Sequence, residues 1–407
     1  MKGKTLLTSQ MLMGVFACFG ILFLSSIPVY GEEKHKQDEY QEEQICRVRP
    51  VLEGETLADI AESVYGDSAY QDEIYELNKE SIGNNPQNIT KGMYLVLPQP
   101  EQGKGYLDWE ECYRMVESDA EEIDIEARIA EDTGCHITDY FFYYALPYEG
   151  QGEEFKICYP QLTFEDGRDA ALINEAIRDA AMMRVSTLLV NRSEQLDENC
   201  RTDSDYGYDW IRSQANYKIT YLDKNLISVV FDEYFFLGSV FLEFSEARAI
   251  TVDLKNGHVY TNEELFEDKE ALAEYIRKEL ISQKTGSERE AFEEIFTKER
   301  LVEMLNTTDY VEGRYRMSPY IYHDGVGFVV SYWISTDAML MRGGVGIEMT
   351  LREADKYRAE LPYWDWLRLG NSKKWEAFRS MGKREASEEQ ENDKKNSKHL
   401  AADNRNG

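Results

Sequence analysis

An α+β fold is what this sequence predicts: a small β-α-α-β unit followed by a larger antiparallel-sheet domain with helices packed on it. Three observations carry that reading. Apolar residues recur at helical spacing in some segments and form short aromatic or β-branched runs in others. Turn signals at Lys224-Asn225, Lys255-Asn256-Gly257 and His323-Asp324-Gly325 each lie between such runs, as hairpin connections do. A hydrophobic content of 42% over 407 residues supplies enough apolar material for real cores.

The elements follow in chain order. Residues 1–31 predict an export signal or membrane anchor, with Lys2 and Lys4 ahead of a run from Thr5 to Gly31 that holds no charge. The apolar centre followed by Val29-Tyr30-Gly31 favours cleavage, although the run is long enough to span a bilayer, which takes ~20 residues. In either case the chain from Glu32 onward is expected to be extracellular or at the cell surface. Residues 32–45 are polar and predict a linker. In 46–98, Val48 to Leu52 predicts a strand, and Thr56 predicts the N-cap of a helix carrying Leu57, Ile60, Ala61 and Val64. Tyr70, Ile74 and Leu77 mark a second helix ending near Asn78. Asn84-Asn85-Pro86 is a turn, and Tyr94 to Pro98 is the partner strand. Residues 99–105, with one Pro and two Gly, predict a second linker.

Order and spacing in this unit resemble a LysM domain, a small glycan-binding module of cell-wall proteins. The matching string is Val51-x-x-Gly54-Glu55-Thr56-Leu57-x-x-Ile60-Ala61, then Tyr65-Gly66-Asp67, Ile74-Tyr75-x-x-Asn78, Asn85-Pro86-x-x-Ile89-x-x-Gly92 and Leu95-x-Leu97-Pro98. The resemblance implies binding of peptidoglycan or a related N-acetylglucosamine polymer. The groove would lie between two loops, Gly54, Glu55, Thr56 and Leu57 on one side and Pro86, Gln87, Asn88 and Ile89 on the other. Two departures stand out: Glu55 replaces the usual Asp, and Arg49-Pro50 stand where an aromatic often opens the first strand.

Residues 106–378 predict the larger α+β domain. Asp139 to Leu146, Glu154 to Tyr159, Tyr217 to Leu222, Leu226 to Tyr234, Phe241 to Leu254 and Val345 to Met349 predict strands. Ala170 to Val190, Leu265 to Ile281, Ala291 to Leu305 and Arg352 to Leu361 predict helices, the first with Leu172, Ile173, Ala176, Ile177 and Ala180 on one face. Tyr363-Trp364-Asp365-Trp366-Leu367, with Trp375 and Phe378, predicts a final helix closing the core. Residues 379–407 carry almost no apolar side chain and predict a disordered tail.

From about Lys156 to Leu361 the chain resembles an extracellular domain found beside peptidoglycan deacetylase catalytic domains and in a lysozyme-sensing anti-sigma factor. The carrying residues are Tyr159-Pro160-Gln161-Leu162, Leu172-Ile173-Asn174, Leu226-Ile227-Ser228-Val229, Thr251-Val252-Asp253-Leu254-Lys255-Asn256-Gly257, Glu264-Leu265-Phe266 and Gly327-Phe328-Val329-Val330 with Tyr332. Leu237-Gly238-Ser239-Val240 stands where that family often has Gly-Gly-Ala-His, so no role tied to that histidine carries over. The resemblance implies a protein-binding module and, as one partner, a cationic wall hydrolase such as lysozyme.

Charge and residue inventory narrow the function. With 45 basic and 77 acidic residues the net charge is −32, which argues against a nucleic-acid partner. From 101 to 160 the balance is 16 acidic against 4 basic residues, a field that favours basic partners. The five histidines lie far apart, and no G-x-S-x-G elbow or Walker loop is present. No enzymatic activity, metal or cofactor is therefore expected, the alternative being an accessory or cryptic enzyme of peptidoglycan modification of deacetylase or hydrolase type. Cys46, Cys112, Cys135, Cys158 and Cys200 fit no zinc spacing and read equally as buried small hydrophobes or as one structural disulfide.

Overall fold

A computed structural model describes residues 45–99, 123–130, 132–148, 151–191, 209–238, 243–336 and 339–368. The expected signal, most of both linkers, the tail, Cys112, Cys200, Trp375 and Phe378 lie outside the described residues. Those described are α+β. Strands β1 (Ile45–Pro50), β2 (Tyr94–Leu97), β3 (Arg128–Ile129), β4 (Cys135–Tyr148), β5 (Gln151–Phe164), β6 (Asp209–Leu222), β7 (Leu226–Gly238) and β8 (Glu243–Asp253) form one mixed sheet. Its order is β2-β1-β4-β5-β6-β7-β8, with β3 beside β6. Strands β9 (Tyr315–Tyr322), β10 (Gly325–Thr336) and β11 (Met339–Thr350) form a second, antiparallel sheet.

In the 45–98 unit the order is β-α-α-β. Helix α1 (Leu57–Tyr65) opens on the predicted cap: Thr56 Oγ1 accepts from the Asp59 amide at 3.2 Å, and Asp59 Oδ2 accepts from the Thr56 amide at 2.9 Å. These two bonds satisfy donors that a helix start otherwise leaves unmet. Helix α2 (Gln71–Leu77) ends at Asn78, and a single turn α3 (Lys79–Ile82) follows. Buried Asn78 ties these helices to the sheet, donating to the carbonyls of Ile74 (2.8 Å) and Val96 (2.7 Å) and accepting from the Val96 amide (2.8 Å).

The unit does not stand apart from the rest. β1 pairs antiparallel with β2 on one side and parallel with β4 on the other, in register Ile45↔Asp139, Cys46↔Tyr140 and Arg47↔Phe141. Phe141 and Cys158, from β4 and β5, belong to the core beneath α1 and α2. On the opposite face Tyr94 packs under the Arg178 guanidinium, 4.7 Å from its ring. One sheet thus passes through both regions, and both faces of the β1–β2 hairpin are covered.

The predicted 170–190 helix is α4 (Ala171–Ala181), α5 (Met183–Val185) and a π turn over Ser186–Val190. Ile173, Ile177 and Ala181 are buried, but Leu172 is 64% exposed. Its Cβ lies over the Gly257 turn, where an added Cβ would sit 2.6 Å away; that backbone also has φ +73°, so glycine is required twice over.

Each of the other predicted helices is shorter than its apolar pattern. Residues 265–281 divide into α6 (Asn262–Leu265) and α7 (Lys269–Ser282), because Asp268 caps the second. Residues 291–305 divide into α8 (Gly286–Ile295) and α9 (Lys298–Leu305), because Thr297 caps the second. The helix predicted to Leu361 stops as α10 (Leu351–Ala354): the Tyr357 carbonyl instead accepts from Glu267, and the Ala359 amide donates to Leu265. Helices α7 to α9 cover the three-stranded sheet, and Tyr363 and Trp364, each at most 1% exposed, close that core as expected. The expectation of a single helix-covered sheet is therefore replaced by two sheets with separate helical layers.

Candidate functional site

The two loops of the 45–98 unit arise at the same end of its hairpin. Val51 exchanges main-chain bonds with Gly92 and Met93, each 2.8 Å, and Lys91 Nζ reaches Glu53 Oε2 at 3.1 Å. Gly54 is exposed with φ +79°, a turn backbone that suits glycine. Pro86, Gln87 and Asn88 are also exposed, their turn closed by Asn85: its side chain accepts from the Gln87 amide (3.1 Å) and its carbonyl from the Asn88 amide (2.9 Å).

The other four predicted residues face inward or are already engaged. Leu57 is core. Ile89 is half-buried against the same core. Thr56 is the helix cap, and its hydroxyl donates to Asp59 at 2.6 Å; these bonds hold the Asp59 carboxyl below the usual carboxylate range.

Glu55 explains both departures from the family pattern at once. Its Oε1 pairs with Arg49 Nη2 at 2.5 Å and its Oε2 accepts from the Leu52 amide at 2.8 Å, while Arg49 Nη1 donates to Ser63 at 2.8 Å. The extra methylene of Glu over Asp is matched by a buried arginine in the adjoining strand. Arg49, Ser63 and Asn78 shape the loops but touch no exposed surface that a sequence pattern marks.

A second concave feature lies between the two sheets. It encloses about 550 Å3, and Asp124, Asp232, Glu279 and Glu348 line it together with Tyr320 and the backbone of Gly344 and Gly346. Among the described residues no basic side chain lines it. The Tyr320 hydroxyl donates to Glu348 Oε1 at 3.1 Å. Burial pushes the Glu348 carboxyl up, the Tyr320 bond opposes this, and Glu126 and Asp124 push it further up. Burial also raises the Tyr320 phenol well above its ordinary value. Only Asp124 comes from the acidic 101–160 stretch; the other three are brought in by β7, α7 and β11.

Among the described residues no group of three or more His, Cys, Asp or Glu side chains is placed to hold a metal ion. His258 Nε2 sits 3.0 Å from Glu264 beside the Tyr260 ring, and His323 lies 3.6 Å from Asp324 and 3.9 Å from Glu126. No disulfide joins Cys46, Cys135 and Cys158 to one another. Burial raises the thiol pKa of Cys46 and Cys135, which suppresses the reactive thiolate. No helix among the described residues is long and apolar enough to cross a membrane.

Fold and site define an α+β protein of two helix-covered sheets with an acidic cleft between them. No protein-family model matches the chain, and no curated protein does. Two crystal structures of DUF3298-family proteins are similar to it. The one from Bacteroides fragilis is 15% identical with a TM-score of 0.33, over 57% of this chain and 97% of its own. The one from Pseudomonas aeruginosa is 11% identical with a TM-score of 0.31, over 56% and 96%.

Proposed function

We propose that this is an exported, non-catalytic cell-envelope protein that holds peptidoglycan or a related N-acetylglucosamine polymer through residues 46–98. The supporting observation is the pair of exposed turns, Gly54 and 86–88, set at one end of a β-α-α-β unit whose other loop residues are fixed by capping and by the Arg49–Glu55 pair. Fixed loops bind at lower entropic cost than mobile ones. Because β1 also belongs to the larger sheet, the test uses the full exported chain. Retention on insoluble cell wall should fall several-fold in Gln87→Trp/Asn88→Trp, which fills the space between the loops with exposed bulk, while the thermal midpoint stays put. A folded parent chain that is not retained on wall would overturn this reading. Acetate release or wall lysis abolished by a single carboxylate change would establish the enzymatic alternative instead.

The larger domain, in this reading, binds a cationic protein such as lysozyme. Its support is the cleft with four carboxylates and, among the described residues, no lining base, in a chain of net charge −32. Charge of one sign in a low-dielectric cleft raises encounter rates with the opposite sign. Lysozyme affinity should drop steeply between low and physiological salt, since exposed charges are screened beyond ~8–10 Å there, and should drop again in Asp232→Asn/Glu279→Gln. A complex insensitive to both would rule out the cleft as the contact.

A further inference from the structure

At the β8 edge of the large sheet, beside the acidic cleft but lined by different residues, lies a smaller cavity of about 190 Å3. Arg184, Glu246, Tyr310, Arg314, Ser331 and Trp333 are among the residues that line it. Its back wall is a buried charge network that the proposed function does not use. Glu233 and Glu246 face each other across β7 and β8, a placement in which like charges repel. Guanidiniums separate them. Arg184 bonds Glu246 and lies 3.8 Å from Glu233, and Arg248 bonds Glu233. Tyr310 donates to the remaining oxygen of Glu246, and Ser213 to that of Glu233. Both acids are thus matched from within the protein.

The positive charge is not matched in the same way. Arg314 stands at the mouth with its guanidinium 5.4 Å from the Trp333 ring centre. Arg316 lies 5.7 Å from the Tyr310 ring centre, one of its terminal nitrogens 3.1 Å from the Met183 sulfur. The Nε atoms of Arg184 and Arg316 are buried and have no hydrogen-bond partner among the described residues. Two guanidiniums, Arg184 and Arg314, therefore line the cavity beside one carboxylate, Glu246, a local reversal of sign in a strongly acidic chain. Asp232, which accepts from the Ser245 hydroxyl at 3.4 Å, lines the acidic cleft rather than this cavity.

A strained turn presents Arg314. Glu312 and Gly313 both have positive φ, 53° and 66°, and a non-glycine residue there is costly unless its surroundings hold it. Arg300 does so, gripping Glu312 through bonds of 3.0 and 3.2 Å.

We propose that this cavity binds a small organic carboxylate, its charge held between Arg184 and Arg314 and its carbon skeleton against Trp333. Such a ligand brings carboxylate oxygens to Arg314, whose guanidinium lies over the Trp333 ring, and to Arg184 at the cavity wall. Guanidinium also matches a carboxylate with two parallel bonds. The volume equals roughly six waters at ~30 Å3 each, which suits one sugar acid or one aromatic acid and excludes a chain.

The test is calorimetric titration of the full chain with benzoate and with glucuronate, against benzamide and glucose as neutral counterparts. The acids should bind and the neutral molecules should not. Arg314→Gln should weaken the acids about tenfold or more, as loss of a charge-assisted contact implies, without moving the melting midpoint of the unliganded protein. Arg314→Lys, which keeps the charge and loses the fork, should recover part of the affinity. Equal binding of acid and neutral counterpart, unchanged affinity in Arg314→Gln, or no binding of either acid at millimolar concentration would each overturn the proposal.

Discussion

In the 45–98 unit the central buried polar side chain is Asn78, neutral and bonded three times to main-chain groups. In the larger region the corresponding place is taken by Glu233 and Arg248, 0% and 1% exposed and bonded to each other, with Arg248 also donating to the Ala180 and Ala181 carbonyls. The neutral centre costs little to bury, because every group it hides is satisfied by the strand and helix it joins. The charged centre carries a desolvation cost that only complete pairing offsets, so it is fragile to the loss of one member and tolerant of the loss of both. The first is a latch between elements; the second is a set of mutually dependent charges beside a cavity.

The sharpest way to break that contrast is at Glu233. Glu233→Leu leaves the Arg248 guanidinium buried without its partner and should cost about 3–5 kcal/mol. The double change Glu233→Leu/Arg248→Met should restore most of this, read as the urea midpoint at unchanged slope. Additive losses would mean the pair is not a unit.

Asn78→Ala strands the Val96 amide and removes two further bonds, for about 2–3 kcal/mol. No second change should rescue it. Since β1 is shared, amide exchange should quicken in β4 as well as in β2; protection of β4 left intact would show that the small unit opens independently. Thr56→Ala should cost ~1 kcal/mol, the worth of a helix cap, measured by the same denaturation.

The smallest effect is a pH slope. Glu348 holds its proton more tightly folded than unfolded, so the native state binds more protons between the ordinary glutamate range and the raised value. Stability should therefore fall as pH rises through that window, and Glu348→Gln should flatten the fall. A steeper slope in the variant would contradict the assignment.

Much of this architecture was legible in the chain. Lys224-Asn225 and His323-Asp324 do join strands, and Thr56 does cap its helix, because turns and caps are decided by a few adjacent residues. What could not be read depends on partners far away in sequence. Nothing local tells that β9 to β11 leave the main sheet, that β1 adds to β4, or that Tyr357 gives up helix for a bridge to residues near 266. Site residues divide the same way. Gly54 and 86–88 are exposed as their turn chemistry implies, whereas Glu55 looked like a loop acid and is committed to Arg49. The Glu233–Glu246 apposition was invisible, since only the strand register brings those acids together.

The strand shared between the two regions also sets an order of events in folding. Arg47 and its contact at the Tyr143 carbonyl are 96 positions apart, whereas β1 and β2 meet across a shorter loop. The local hairpin and its helices can assemble first. The outer edge of β1 then waits, its N–H and C=O groups unpaired, until the aromatic strand β4 arrives. An edge left open that long is a template for any extended segment nearby, and closing the longer loop is the slower step. Asp139-Tyr140-Phe141 therefore completes the early folded piece, and until it does Ile45-Cys46-Arg47 is the edge open to pairing with the wrong chain.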